Sequence, residues 1–484
     1  MMPELHFPWL AASIAVPLLG ALCLCFVRHV DQALRCGILF SCIALALTCG
    51  GLVDYLMLAG FEAHDLWLWG RFAAVDSPIA FDVLVVDEFS AFLFPLTALI
   101  FAVVFMSTLR TNAPQFPMKL ALISEAILLA TFSCRGSWTL VGLLAVGTIV
   151  PFIELKRCGR CVKIYTWHMS LFVGLLIGGY AWLGMTDVTT SAAIVPCVLL
   201  AAAALLRSGI LPFHLWLADL YEKGSFGTAI LFTTPLVGAY AVMRLVLPIA
   251  PAELLQSIAI LSLTTAVYAA GLALVQREAR RLFCYIFLSQ SSLVLVGLEL
   301  VTPIGLTGAL CLWLSVGLSL TGFGITLRSL EARISRVSLA DFHGLYRQMP
   351  MFSGFFLLTG LASIGFPLTI GFIGMDLLIE GAVHVFPQSG VMVVFVAALN
   401  GIAVLFAYFR IFTGRHNPTL IPMNVRLGER VAILILSVLI LGGGLIPQPG
   451  VTSRYHAAQE LTKQRERALA TDEHSGVDEL SSVD

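Results

Sequence analysis

LLRSGILPFHLWLADLYEKG, residues 205–224, ends a long apolar run with an arginine, a proline, a histidine and a tryptophan-bearing polar turn. Proline removes a backbone donor and clashes with the preceding turn. Arginine keeps its charge in ordinary surroundings. Lipid tolerates unpaired backbone groups only where they are buried in protein or line a wet cavity. The stretch therefore reads as a broken membrane helix with a fixed charge beside the break.

The rest of the chain agrees. Of its 484 residues, 59% are hydrophobic and 12% charged, against about 25% charged in soluble domains. The expected class is an all-α polytopic membrane protein. Residues 1–13, MMPELHFPWLAAS, are acidic and carry no cleavage site, so a retained first helix is expected and not a signal peptide. The net charge of −1 says nothing about nucleic acid, but no basic stripe with interleaved aromatics appears, so no nucleic-acid partner is expected. Most of the eleven cysteines (Cys23, Cys25, Cys42, Cys197, Cys284, Cys311 among them) lie in apolar runs and read as small apolar residues. Cys158 and Cys161 form one CxxC, but no second pair or histidine cluster completes a metal site. No metal and no cofactor are expected.

A span needs about 20 apolar residues. Fourteen candidates result, at 9–27, 34–59, 88–109, 118–134, 137–155, 165–185, 191–212, 227–250, 255–275, 282–300, 304–326, 352–381, 390–414 and 428–447. Residues 448–484 form a polar tail, expected to be a short surface helix that then frays. Lys and Arg fall in alternate loops (Arg110 and Lys119; Lys156 to Lys163; Lys223; Arg277 to Arg281; Arg328 to Arg347; Arg415 to Arg430), while the intervening loops hold almost none, chiefly Arg71 and Arg135. The second loop is acidic instead (Glu62, Asp65, Asp76, Asp82, Asp87). By the positive-inside rule both termini face outside.

The seventh span contains Gly209 and Pro212; the twelfth contains Gly365, Pro367, Gly371 and Gly374. Paired broken helices point to repeated halves. Spans 4–8 and 9–13 then form two five-helix repeats, inverted because five is odd. The segments are 1–117 with the acidic loop, 118–250, 255–414, 428–447 and the tail.

An ionisable group at mid-span costs roughly 2.5–3.5 kcal/mol. Glu125 lies in the fourth span and Arg207 in the seventh; Asp376 and Glu380, four apart, share a face of the twelfth. Arg207 can hold a fixed charge but not relay a proton. His214 follows the break and titrates near neutral pH. It reads equally well as a satisfied helix-end histidine. Arg244 and Arg410 are expected to snorkel, and Glu154 to pair with the Lys156/Arg157 cluster.

RSGILPFHLWLADLYEKG resembles the K-x-x-x-x-P-x-H-x-W-L-P-D-A stretch of the antiporter-like membrane subunits. These are the pumping subunits of respiratory complex I and their relatives in group 4 hydrogenases, Mrp antiporters and DAB inorganic-carbon uptake complexes. YAVMRLVLP (240–248), QREARRLFCYIFLSQSSLVLVGL (276–298) and FHGLYRQMPMFSGFFLLTGLASIGFPLTIGFIG (342–374) are similar to later motifs of that family, in order. The resemblance runs from about residue 80 to 430 and implies fourteen helices in two inverted repeats. It also implies proton translocation by a relay of charges. Here Val146 takes the place of the family's helix-five glutamate and Arg207 that of the helix-seven lysine. Leu236 lies near the place of the helix-eight lysine, and Met375 takes that of the helix-twelve charge; the eleventh span lacks the usual His and Lys. Glu125, Arg207, His214, Asp376 and Glu380 remain as the candidate ion pathway.

Three functions follow from the resemblance. One is an ion-translocating, itself non-catalytic subunit of an NADH:quinone oxidoreductase-like complex. The second is the membrane partner of a peripheral zinc enzyme in bicarbonate uptake, and the third a non-conducting scaffold. The partners are other membrane subunits or that zinc enzyme, the lipid bilayer, and protons or Na⁺. The location is the bacterial cytoplasmic membrane. About 35 residues after the last span are too few for the long lateral helix of the chain-5-like branch.

Overall fold

The computed structural model describes residues 4–58, 62–65, 84–109, 116–185, 194–414 and 425–480. Arg71, Asp76, Asp82, Arg110 and Arg415, named above for orientation, lie outside these residues. Apolar runs fold as helices here because every backbone group is then satisfied within its own segment. Among the described residues, ten helices are long and apolar enough to cross a bilayer alone, and three more are shorter apolar helices.

The N-terminal layer is α1 (Trp9–Phe26), α2 (Val30–Met57) and α3 (Ser90–Met106). Between α2 and α3 the acidic loop forms a two-stranded antiparallel ribbon, β1 (Glu62–His64) with β2 (Val85–Asp87). The first repeat begins with α4 (Met118–Ser133), the fifth rod α5 (Ser137–Gly147) and α6 (Ile149–Arg157), and α7 (Lys163–Leu183). Its seventh rod is α8 (Ile194–Ser208) continued by α9 (Leu215–Lys223); its eighth is α10 (Phe226–Thr233), α11 (Val237–Ala241) and a π turn, Val242–Val246. The second repeat holds α12 (Ala252–Leu274), α13 (Ala279–Glu299), α14 (Pro303–Ile334), α15 (Pro350–Ser363) with α16 (Ile370–Val385), and α17 (Pro387–Phe412). Then come α18 (Leu427–Leu445) and α19 (Gln448–Leu480). Counted as rods, α1 to α18 make the expected fourteen.

The two expected breaks share one geometry. Gly209 and Gly365 take φ +78° and +84°, the left-handed region that glycine enters without a Cβ clash. Gly209 N–H donates to Leu206 O at 3.1 Å and Ile210 N–H to Leu205 O at 3.0 Å; Gly365 N–H donates to Ala362 O at 3.3 Å and Phe366 N–H to Leu361 O at 3.1 Å. Both are Schellman terminations, which close the last carbonyls of a helix. Each leaves one carbonyl shared with a side chain: Trp216 Nε1 donates to Leu206 O at 3.0 Å, and Ser315 Oγ reaches Ala362 O at 3.5 Å.

Two expectations need correction. The eighth rod is not continuous: Pro235 supplies no N–H, and Leu236 sits at φ +53°. The tail is one helix to Leu480, held by buried arginines. Arg454 donates to Glu88 O at 2.5 Å and Phe89 O at 3.4 Å, and Arg465 to Leu247 O at 2.7 Å and Ala250 O at 2.8 Å. Those acceptors lie at the end of the bundle that carries the acidic ribbon. There Leu5 N–H also donates to His64 O at 2.9 Å.

Candidate functional site

The break in the eighth rod explains the surroundings of Arg207. Leu236 N–H turns back to Thr233 O at 3.0 Å, so Phe232 O loses its helical donor. Arg207 Nη2 donates to that carbonyl at 3.2 Å. Trp313 Nε1 donates to Pro235 O at 3.3 Å. The guanidinium lies 3.9 Å from the Phe232 ring centre and 5.6 Å from that of Trp216, within cation–π range. Arg207 is buried, and no carboxylate pairs with it among the described residues.

Small cavities flank this charge. One is lined by Ser208, Trp216, Thr233, Leu236, Phe287 and Ser291. The other reaches Ser124, Leu128 and Thr131 of α4 and Gly147 at the end of α5. Glu125 is next to Ser124, but each helical residue turns about 100°, and its carboxylate faces α2. There Oε1 accepts from Ser41 Oγ at 3.0 Å while Oε2 has no hydrogen-bond partner. A buried carboxylate without a countercharge is met by a bound proton or cation.

The other expected residues stand apart. Asp376 and Glu380 share a face of α16 as their spacing requires, and that face is exposed on the outside of the bundle. His214 is half-buried just beyond the break, with Nδ1 unpartnered and its ring 5.5 Å from Tyr268. The structure does not bring the five together. Where the resemblance leads one to expect charges, Val146 is 45% exposed while Leu236 and Met375 are buried. Cys158 and Cys161 are exposed and unbonded, and no metal-ligand group occurs among the described residues.

Three charged features escaped the sequence. Glu154 does not pair with Lys156 or Arg157: it turns inward, is buried, and accepts Ser225 N–H at 3.1 Å. It lines a large cavity at the basic end together with Arg328, Arg280, Glu331, Lys223 and Arg336. Arg244 does not snorkel; it pairs with Asp87 at 2.6 Å and donates from Nε to Tyr240 at 3.1 Å. Glu299, at the end of α13, is buried with both oxygens unpartnered. Its signal was a lone acidic residue closing the apolar run LVLVGLE, 293–299.

At the ribbon, burial works to raise the Asp87 carboxyl, but Arg244 and the Ser90 N–H together hold it below the ordinary carboxylate range. The neighbouring Glu88 is raised, mainly by burial. A lowered folded pKa gives stability that is complete above the unfolded value of about 3.9. That stability is lost as pH falls through the folded value. The melting temperature of the detergent-solubilised protein is therefore expected to drop in acid below about pH 4. Asp87→Asn should lower it at neutral pH and shrink that acid step; an unchanged acid step would remove Asp87 from the account.

Comparison with known proteins agrees with this architecture. Residues 176–400 match the transmembrane family described as NADH:quinone oxidoreductase/Mrp antiporter. NADH-quinone oxidoreductase subunit M of Rickettsia prowazekii (strain Madrid E) is 25% identical over 494 residues, covering 94% of this chain and 99% of that protein. A chain of respiratory complex I from Thermus thermophilus superposes with a TM-score of 0.80 at 20% identity, covering 94% of this chain and 99% of that one. A chain of the Mrp complex from Dietzia sp. DQ12-45-1b gives 0.78 at 20% identity, covering 95% and 98%.

Proposed function

We propose that this chain, a divergent member of the antiporter-like membrane-subunit superfamily, carries protons across the membrane as one subunit of a redox-driven complex like NADH:quinone oxidoreductase. The observation that carries the reading is Arg207: a buried, unpaired cation between two cavities at the break of the seventh rod. A fixed positive charge there sets the field for a proton moving past it, while the titrating groups are carboxylates elsewhere. Glu154 at the wide basic mouth and Glu125 on α4, facing the N-terminal layer, are the inner candidates. In this reading both termini face outside the bacterial cytoplasmic membrane.

Asp376 and Glu380 take a different part. Two carboxylates on an exposed membrane face would each cost roughly 2.5–3.5 kcal/mol against acyl chains, so this face is assigned to a neighbouring subunit or a wet seam beside one. Asp376→Asn is expected to lower ion-coupled activity more than Arg207→Lys, measured in vesicles holding the whole complex. If both variants kept full activity, the altered relay would be finished.

A non-conducting scaffold is the second reading. The bond from Arg207 to Phe232 O favours it, because a residue that caps a broken helix needs no ion to justify it. Purification from native membranes in mild detergent, with the partners identified by mass spectrometry, tests both the complex and its class. Redox subunits and proton uptake together support the proposal. A single zinc enzyme would move the chain to inorganic-carbon uptake, and redox subunits without proton uptake to the scaffold.

A further inference from the structure

Glu299 closes α13 at the end of the bundle opposite the basic loops, only 1% exposed. Neither carboxylate oxygen has a hydrogen-bond partner. The fully buried Ser262 hydroxyl of α12 stands beside it as its one polar neighbour and makes no hydrogen bond elsewhere. Around this end of α12, α13 and α16, Ala259, Val296, Leu300 and Ala382 form a small apolar cluster. The titratable side chains nearest this end on the packed helices are Glu253 of α12 and Asp376, Glu380 and His384 of α16. All four are exposed, and none pairs with Glu299 among the described residues; the nearby first turns of α14 carry none.

The same helix also reaches the Arg207 cavity. Phe287, Ser291 and Leu295 of α13 line the cavity that holds Arg207. Each step of four residues climbs one turn and drifts about 40° round the helix, and the next step after Leu295 is Glu299. From Ser291 to Glu299 the axial distance is about 12 Å at 1.5 Å per residue. The wall of the cavity thus ends one turn short of a carboxylate at the outer end of the same helix.

We propose that Glu299, with Ser262 beside it, is a proton-binding site at the outer end of the second repeat. It takes protons that have passed the Arg207 cavity and releases them to the side of the acidic ribbon. This rests on the reading of the chain as a proton-translocating subunit. An isolated buried carboxylate is too costly to keep as a bare anion. The apolar cluster supplies no further side-chain oxygen for a metal cation, whereas a proton needs none. Arg207 supplies the direction: a permanent cation disfavours a second positive charge in its own cavity, and Glu299 offers that charge a negative partner.

The test uses the intact complex in native membranes and dicyclohexylcarbodiimide, an apolar reagent that adds to protonated carboxyls. The acid proton passes to a carbodiimide nitrogen and the carboxyl oxygen bonds the central carbon; rearrangement leaves a stable N-acylurea with no atom lost. The expected result is modification of Glu299, found by peptide mass spectrometry, that declines as pH rises and is unaffected by NaCl. Glu299→Gln, which keeps shape and is neutral, should assemble normally and cut proton pumping by about tenfold or more. Protection by Na⁺ would make this a sodium site and overturn the proposal. So would an unmodified Glu299 in a chain whose Glu125 is modified, or full pumping by Glu299→Gln. Labelling needs no transport, so failure of the unsubstituted complex to pump would sink the function proposed above and leave the labelling to decide this one.

Discussion

Arg207→Met is expected to cut proton transport by about tenfold or more while leaving the complex assembled, and Arg207→Lys to keep most of the flux. Methionine replaces the apolar stem of the side chain and stops short of the guanidinium, so the space it opens is confined to the place beside Phe232. It leaves Phe232 O without its donor at 3.2 Å, a loss of roughly 1–3 kcal/mol. Against this, a buried cation with no carboxylate partner disappears, and removing an uncompensated charge stabilises. The two nearly offset, which is why assembly should survive. Transport has no such compensation. A unit charge at this depth is worth roughly 2.5–3.5 kcal/mol, and each 1.36 kcal/mol in a barrier is about tenfold in rate. Lysine restores the charge but not the planar contact with the Phe232 ring, so its loss should be partial. Proton uptake by vesicles holding the whole complex, with native gels for assembly, reads both effects. Full uptake by the methionine variant would reduce Arg207 to a helix cap and favour the scaffold.

How far the sequence reaches is clear from particular residues. The rods were legible because lipid demands long apolar runs, and two breaks were legible because glycine and proline mark them. Pro235 carried the same signal within the eighth span, but its consequence depends on which donors can replace the lost bonds. Arg207 and Trp313 supply them from 28 and 78 residues away. The shared face of Asp376 and Glu380 followed from helical periodicity; its exposure did not, since periodicity fixes relative direction and not what lies opposite. Glu154 was misassigned for a local reason. Lys156 is two positions on, about 200° round the helix, and faces away; Arg157, three on, stays exposed while Glu154 turns inward to Ser225. Arg244 and Asp87 lie 157 positions apart, a pairing only the fold can make. Glu299 was visible as a charge and hidden as a site, because at the edge of a span a solvated carboxylate and an orphaned one look alike.

Glu429→Gln is expected to be the most destabilising single change to the fold, and the variant that also carries Arg333→Met to recover most of the loss. Glu429 is buried near the start of α18 and Arg333 almost so at the end of α14. Two bonds join them, Nη1 to Oε1 at 2.9 Å and Nη2 to Oε2 at 2.7 Å, the paired geometry of the strongest ion pairs. Oε2 also accepts Arg426 N–H at 3.0 Å, capping α18, and the guanidinium lies 5.1 Å from the Phe352 ring centre. One carboxylate therefore fixes the second repeat to the last rod and begins that rod. Removing one partner of a buried pair costs about 3–5 kcal/mol, because the other charge stays behind unpaired. The lower end is expected here, at the basic end of the bundle where water is close. Replacing both by apolar or neutral groups removes the stranded charge, so the double variant should melt near the parent and well above Glu429→Gln. Thermal unfolding of the four proteins in one detergent measures this cycle. Additive losses would mean that the two side chains act independently, and that the junction of α14 and α18 is held by packing alone.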